Sequence, residues 1–309
     1  ALSIRLGWDA LVGLGMSLLA VGCGFAAGIC NPFTVGVAQE LAGLPMFSGI
    51  WFRLIAFVLV HVLLLGFLYF YAKKIERPID METFKHSFIY DAKMAKGLKL
   101  FAGIMCGGIL LVLSSVVFTF LQDITMIIVA VTFLVAGLVS SKISCRLGNL
   151  LATFWHGMVS IFPAVFMILM ANSIKYTMVE GNILDPILQG MVNTAATLPG
   201  WTVILFIYLI VLVMNFFIAS GSAKAFLLMP LIIPIAETFG ISAQLCIVAF
   251  AFGDGFSNVF YPTNPVLLIS LGLANVSYGE WAKWSGKYQL MNLFLTSGLL
   301  LFGLTIGYH

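Results

Sequence analysis

The chain has 309 residues, of which 61% are hydrophobic and 9% are charged, and its mean hydropathy is +1.10. Soluble domains carry about 25% charged residues, so this composition predicts an all-α polytopic protein embedded in a lipid bilayer. The net charge of +3 comes without a basic stripe between aromatic residues, and the five cysteines form no CxxC pair. Nucleic acid is therefore excluded as a partner, as is a cysteine metal site or disulfide framework.

Apolar segments of roughly 20 residues predict the helices that cross the bilayer. In chain order they are 10–31, 50–72, 99–120, 124–141, 150–175, 200–219, 241–260 and 286–306. Three further apolar pieces are too short to span comfortably: 32–44, 225–236 and 264–274.

One polar linker, residues 73–98, separates the second and third spans. Residues 73–99 carry seven Lys or Arg residues, and the positive-inside rule places such a segment in the cytoplasm. The membrane is therefore expected to be the cell's inner membrane. Counting the crossings from this linker places the C-terminus on the outer side of that membrane.

Residues 200–238 allow two interpretations. SGSAK at 220–224 interrupts the apolar run, and the arm that follows it, 225–236, is short. One is two full spans joined by a cytoplasmic turn, and the other is a re-entrant hairpin that enters and leaves on the outer side. Both end on the outer side, so the distribution of charge cannot choose between them. The shortness of the second arm favours the re-entrant hairpin.

Two helix breaks carry prolines and asparagines within apolar sequence. Residues 31–53, NPFTVGVAQELAGLPMFSGIWFR, align without a gap to residues 261–283, YPTNPVLLISLGLANVSYGEWAK, matching Pro, Gly and Trp. By the crossing count, the chain runs toward the outer side in the first copy and toward the cytoplasm in the second. Interrupted helices at corresponding positions of inverted repeats indicate the substrate site of a transporter, because backbone groups freed in a membrane are tolerated where they line a cavity.

This repeat divides the chain into three parts. Residues 1–72 are expected to be the end of a first inverted repeat, with a broken helix at 10–44 and a helix at 50–72. Residues 99–309 are expected to be a second repeat, comprising the helices already given for 99–175, the hairpin 200–238, the broken helix 241–274 and the helix 286–306. By this symmetry the chain is expected to lack most of the first repeat.

The same motifs carry a family resemblance over most of the chain. IASGSAKAFLLMPLIIPIAETFGIS (218–242) and AFAFGDGFSNVFYPTNPVLLISLGLANVSYGEWAKW (249–284) resemble the C4-dicarboxylate anaerobic carrier family, in its DcuC/YfcC-like branch of the ion-transporter superfamily. GFAAGICNPFTVGVAQELAGLP (24–45) resembles the family's first broken helix. The resemblance implies inverted repeats with re-entrant hairpins, a homodimer, elevator motion and coupling to Na⁺ or H⁺.

The candidate site residues cluster at the hairpin tip and the two breaks. Serine hydroxyls, a flexible glycine and opened helix ends suit a Na⁺ ion or a carboxylate, although a plain Ser/Gly turn is the alternative. The predicted substrate-binding residues are Asn31, Thr34, Ser220, Gly221, Ser222, Lys224, Thr263 and Asn264. The predicted ion-coupling residues are Ser220, Ser222, Asp254, Asn258 and Thr263, with Na⁺ between the 220–222 tip and the 258–264 break.

Two ionisable residues in this region leave alternatives open. Lys224 could bind a substrate carboxylate, and Asp254 could serve cation coupling or a cationic substrate, since ionisable groups inside spans are usually functional. They could instead pair with each other. Asn215 is interpreted as an ordinary polar inclusion in its span.

The predicted function is secondary transport of a small organic anion, a C4-dicarboxylate or related acid. The alternative is a basic amino-acid exchanger or a peptide transporter of the same fold. No HExxH or GxGD motif is present, so the chain is not expected to be an enzyme, and no cofactor other than Na⁺ is expected.

Overall fold

The computed structural model describes residues 2–29, 31–76, 92–114, 124–144, 152–159 and 197–308, with scattered residues between 173 and 194. Every regular element in these ranges is helical, as the composition predicted. Five of the described helices are long and apolar enough to cross a membrane. The prediction of an all-helical, multi-pass membrane protein is thereby confirmed.

We number the described helices in chain order. They are α1 (Leu2–Arg5), α2 (Ala10–Ala27), α3 (Val37–Leu41), α4 (Ile50–Ile75), α5 (Ala92–Ser114), α6 (Thr125–Ile143), α7 (Gly200–Phe217), α8 (Gly221–Thr238), α9 (Ala243–Asn258), α10 (Pro265–Ala274) and α11 (Tyr278–Thr305). A π-helical turn lies within α2 at Gly15–Leu19, and another, Pro32–Gly36, leads into α3.

The chain forms two compact units. The smaller, Asp80–Phe162, contains α5 and α6. These two helices meet through small residues: the Ser140 hydroxyl donates to the carbonyl of Gly97 at 2.9 Å. A side chain at Gly108 would overlap Thr132. Small residues at such contacts let membrane helices approach closely.

The larger unit, Ala1–Ile79 with Pro163–His309, is built around α9. All residues of α9 from Gln244 to Ser257 are buried. Two glycines let its neighbours approach: a Cβ on Gly253 would lie 2.7 Å from Val211 in α7, and one on Gly255 would overlap the backbone of Ala26 in α2. Because no side chain separates the backbones there, α9 becomes the fully enclosed centre of this unit.

The interrupted helices α2 and α9 run in opposite directions. Ala26 meets Gly255, whereas the earlier Gly22 meets the later Val259, so the chain order is reversed across the contact. Each helix then breaks, α2 at a left-handed Gly28 with φ of 54° and α9 after Asn258. The two breaks therefore belong to antiparallel helices that cross in the core.

The long helices α4 and α11 are also antiparallel. The rings of Tyr71 and Trp284 lie 5.3 Å apart near the end of α4 and the start of α11. At the opposite end, Tyr308, just after α11, donates a hydrogen bond of 2.5 Å to the carbonyl of Gly49, just before α4. Burial raises the pKa of the Tyr308 phenol, which keeps it a neutral donor, although nearby Arg53 lowers it.

A buried polar network holds the end of the unit at Gly49. The Arg53 guanidinium donates to the carbonyls of Ser48 at 2.9 Å and of Phe47 at 3.2 Å. Gln39 donates to the Ser48 carbonyl at 2.9 Å, and Gln244 donates to the Ser48 hydroxyl. This network fixes the loop between α3 and α4 to the start of α9.

The helices α7 and α8 form a hairpin. The start of α7 at Gly200 approaches the Phe239 ring just after α8, and residues 218–220 form the tip. The second arm has 18 residues, so the prediction that it is too short to span was wrong. The helix begins at Gly221, since the charge of Lys224 in its first turn is buried and paired with Asp254. It also contains two prolines.

Other predicted boundaries differ from those of the structure. The helix α4 extends to Ile75 and α5 begins at Ala92, so both ends of the predicted 73–98 linker are helical, and 77–91 lie outside the described residues. The helix α11 begins at Tyr278 rather than at 286, because Ser277 and Glu280 form a capping box. Within the predicted 150–175 helix, residues 152–159 are helical, and 160–172 lie outside the described residues.

The gap-free alignment of the two broken-helix segments does not match equivalent elements. The long helices begin at Ile50 and Tyr278, 228 residues apart, whereas the short stretches after each break begin at Pro32 and Pro265, 233 apart. Trp281 is fully buried, whereas its aligned partner Trp51 is 48% exposed. The order of elements is nevertheless the same in both segments: interrupted helix, short helix, turn, long helix.

Candidate functional site

The hairpin tip is held against both interrupted segments by one glycine. A Cβ added to Gly221 would overlap the Thr34 methyl group and stand 2.6 Å from Asp254 Oδ2. Thr34 lies in the turn after the first break, and Asp254 lies one turn before the second break. The absence of a side chain at Gly221 therefore lets three separate segments converge at the start of α8.

Lys224 and Asp254 form a buried ion pair beneath the tip. The ammonium Nζ lies 2.7 Å from Asp254 Oδ1, and both side chains are 0% exposed. The same ammonium donates to the Ile218 carbonyl at 3.2 Å and to the amide oxygen of Asn215. An ammonium has three donors, and these three acceptors use them all. Lys224 thus has no donor left for a substrate carboxylate in this conformation.

Asn215 joins the tip to the second break. Its amide nitrogen donates to Ser257 Oγ at 2.6 Å and to Asn258 Oδ1 at 3.1 Å, and lies 3.2 Å from the Asp254 carbonyl. Its amide oxygen accepts from Lys224. One side chain of α7 therefore connects α8 with the last turn of α9.

The second break continues this polar cluster. Asn264 donates to Asn258 Oδ1 at 3.0 Å, and its own Oδ1 caps α10 by accepting from the Val266 amide at 2.9 Å. The hydroxyl oxygen of neighbouring Thr263 is buried and makes no hydrogen bond within the described structure. The break thus presents both satisfied and open polar atoms.

Six of the predicted site residues meet in this cluster: Thr34, Gly221, Lys224, Asp254, Asn258 and Asn264. Asn31 contributes its backbone carbonyl to the turn after the first break, accepting from Gly36 at 3.0 Å. Ser220 is exposed and Ser222 is half-buried at the start of α8.

Sequence reasoning missed two members of the cluster. Asn215 was interpreted as an incidental polar residue, yet it makes the hydrogen bonds that join three helices. Ser257 was not selected, although it lies in the GDGFSN stretch and bonds to both Asn215 and the Gly253 carbonyl. The available signal was position: Asn215 stands three residues before the tip, at the end of an apolar run.

The cluster offers oxygen ligands rather than a transition-metal site. Among the described residues, no three His, Cys, Asp or Glu side chains converge to hold a metal ion. A cavity of about 600 Å³ lies elsewhere, between α1, α2 and α10, and its lining includes none of the predicted site residues. The predicted site residues therefore lie outside this cavity, at the tip and the breaks.

Comparison with known proteins places this membrane protein in a family. The family model "DcuC: C4-dicarboxylate anaerobic carrier" matches residues 2–305, so the chain belongs to this family, as its motifs predicted.

Two curated relatives match most of the chain. A "Putative basic amino acid antiporter YfcC" from Escherichia coli K12 is 28% identical over 100% of this chain and 64% of its own length. An "Uncharacterized protein" from Haemophilus influenzae is 25% identical over 91% of this chain and 57% of its own length. The chain thus spans about three fifths of the length of these relatives.

Among solved structures, the YdaH transporter of Alcanivorax borkumensis aligns with a TM-score of 0.47 and 20% identity, over 96% of this chain and 74% of that one.

Proposed function

We propose that the protein is a secondary active transporter of a small carboxylate-bearing metabolite, a C4-dicarboxylate or related organic acid. Membership of a C4-dicarboxylate carrier family supports this function. So does the crossing of two antiparallel interrupted helices, α2 and α9, beside a polar cluster, because transporters bind substrates at such breaks.

The observation that carries the proposal is the uncapped start of α8. Ser220, the N-cap residue, makes no side-chain cap, so the first amides of an 18-residue helix are left without an intrahelical partner. Thr34, whose methyl group faces Gly221, is 1% exposed, and its hydroxyl has no hydrogen-bond partner within the described structure. A substrate carboxylate would satisfy both, and the positive end of the helix dipole favours it.

The remaining features of the proposal follow the family resemblance. They are coupling to Na⁺ or H⁺, a re-entrant hairpin at 200–238, inverted repeats, a homodimer and elevator motion in the cytoplasmic membrane. The contacts at the start of α8 support the re-entrant placement, since Gly221 lies against Thr34 and Asp254, which belong to the segments next to the two helix breaks. The matching order of elements in the two broken-helix segments supports the repeat.

A basic amino-acid exchanger is the second candidate. The named E. coli relative supports it, and an amino acid carries the same carboxylate for the start of α8. The two candidate functions differ in the second charged group of the substrate, which is anionic in a dicarboxylate and cationic in arginine or ornithine.

The test measures uptake into proteoliposomes of succinate, fumarate, arginine and ornithine, with Na⁺ or choline outside. Thr34→Val keeps the side-chain volume but removes the hydroxyl, so we expect KM for the transported substrate to rise about 10-fold or more, since an unpaired carboxylate contact costs about 1.5–3 kcal/mol.

Thr202→Val is the matched control, because the Thr202 hydroxyl bonds only to the Pro199 carbonyl at the far end of α7. An unchanged KM in Thr34→Val would remove the proposed carboxylate site. Uptake of none of the four substrates would count against both candidate functions.

A further inference from the structure

The ammonium of Lys224 occupies an oxygen cage rather than a simple ion pair. Its three acceptors are a carboxylate from α9, an amide oxygen from α7 and the backbone carbonyl of Ile218 at the hairpin tip. Carbonyls at helix ends lack intrahelical partners and are free to bind a cation. A carboxylate, an amide oxygen and a free carbonyl are the ligands that hard cations prefer.

Local helix chemistry does not explain a lysine at this position. Lys224 lies in the first turn of α8, where the positive end of the helix dipole disfavours a cation. Its whole side chain is also buried, which is rare for lysine unless the charge is paired. The oxygen cage compensates for both penalties, so the position is shaped around a positive charge.

We propose that the Lys224 ammonium is a built-in substitute for an inorganic coupling cation at the hairpin tip. The cage formed by Asp254, Asn215 and the Ile218 carbonyl is a Na⁺-type site that the chain fills itself. Transport, which this inference takes from the proposed function, then requires no Na⁺ at this position. The covalently bound charge of Lys224 joins the Ile218 carbonyl at the tip to Asp254 in α9.

The first test empties the cage. In Lys224→Ala the carboxylate and its two oxygen partners face a vacant volume with an uncompensated negative charge, which attracts a small cation. The melting temperature of the purified wild type should be the same in NaCl and choline chloride. That of Lys224→Ala should be higher in NaCl by about 5 °C or more and should saturate with Na⁺ concentration, as binding to the folded state requires.

The second variant separates cation binding from misfolding. Lys224→Met with Asp254→Asn replaces both charges, so this double variant should fold and show no Na⁺ dependence. Three results would overturn the proposal. The first is Lys224→Ala that folds and melts at the same temperature in NaCl and in choline chloride. The second is a wild type whose melting temperature rises with Na⁺ and loses this response in Asp254→Asn. The third is Lys224→Ala that fails to fold in NaCl while the double variant folds.

The melting experiment is independent of substrate identity. If the uptake assays find no carboxylate or amino-acid transport, the proposed function fails, but the sodium response of Lys224→Ala still decides whether the cage is a cation site. If uptake is found and the wild type requires Na⁺ in a manner that Asp254→Asn abolishes, the built-in cation is wrong and the proposed function stands.

Discussion

At the scale of single residues, the site depends on amide and glycine positions as well as on one buried ion pair. The pair of Lys224 and Asp254 neutralises itself, and the groups around it are satisfied chiefly through Asn215. The ion pair and the Asn215 amide therefore attach the hairpin to α9 together. The hydroxyls of Thr34 and Thr263 have no hydrogen-bond partner within the described structure, which suits the recognition of substrate oxygen atoms, and the Asp254 carboxylate has the ion pair with Lys224 as its contact.

Replacing Asn215 should destabilise the protein strongly. Asn215→Leu removes one hydrogen bond each from Lys224, Ser257 and Asn258, which keep their other partners, and a lost hydrogen bond in a buried network costs about 1 kcal/mol. We expect a lower melting temperature in detergent, with a loss of about 2 kcal/mol or more. Val213→Leu, on the exposed side of the same helix, should change little, and an equal loss in both variants would contradict the role of Asn215.

At the scale of elements, the two interrupted helices meet because glycines remove the side chains between them. The approach of α2 to α9 at Ala26 and Gly255 brings the turn after the first break beside the hairpin tip. Glycine weakens a helix, so its use inside α9 indicates that close packing outweighs helix propensity there.

A side chain at this crossing should separate the helices. In Gly255→Ala the new methyl overlaps the backbone of Ala26, and backbone atoms cannot rotate away as a side chain can. Overpacking of this kind costs about 1–3 kcal/mol. A Cβ on Gly298 in α11 meets nothing within 4 Å, so Gly298→Ala should be neutral or stabilising by up to about 1 kcal/mol. The check is thermal denaturation; matching changes in the two variants would refute the close crossing.

At the scale of the whole molecule, the larger unit has a basic end and an opposite end. The antiparallel packing of α4 and α11 brings Lys73 and Lys74 to the same end as Lys283 and Lys287. Tyr308 and Gly49 mark the other end. The helix α4 has 26 residues and is about 39 Å long, enough to cross a bilayer. The positive-inside rule predicts that the basic end faces the cytoplasm.

Cysteine accessibility tests this orientation. In a cysteine-free background, Ile306→Cys should react with a membrane-impermeant maleimide on intact cells, because Ile306 is exposed at the end opposite the lysines. Glu76→Cys, at the end of α4, should react only after permeabilisation. Labelling of both from one side would contradict the antiparallel pair, and the reversed pattern would place the basic end outside.

Different parts of the site were accessible to sequence reasoning to different degrees. The breaks near Asn31 and Asn264 were predictable, since proline and asparagine within apolar sequence mark a helix end. The role of Asn215 was not, because a polar residue in a span looks the same whether it bonds within its own helix or to others. The register between the two broken-helix segments was also missed, since apolar residues align freely over several shifts.

By itself the sequence determined that this protein lies in a membrane, that two of its helices break, and to which family it belongs. These properties depend on composition and on local residue chemistry, which are read along the chain. Only the tertiary structure decided that Lys224 pairs with Asp254 and that Thr34 packs against Gly221. It also decided that Asn215 bonds to both Lys224 and the last turn of α9. Those contacts join residues far apart in sequence, and they depend on how closely helix backbones approach, which no local pattern encodes.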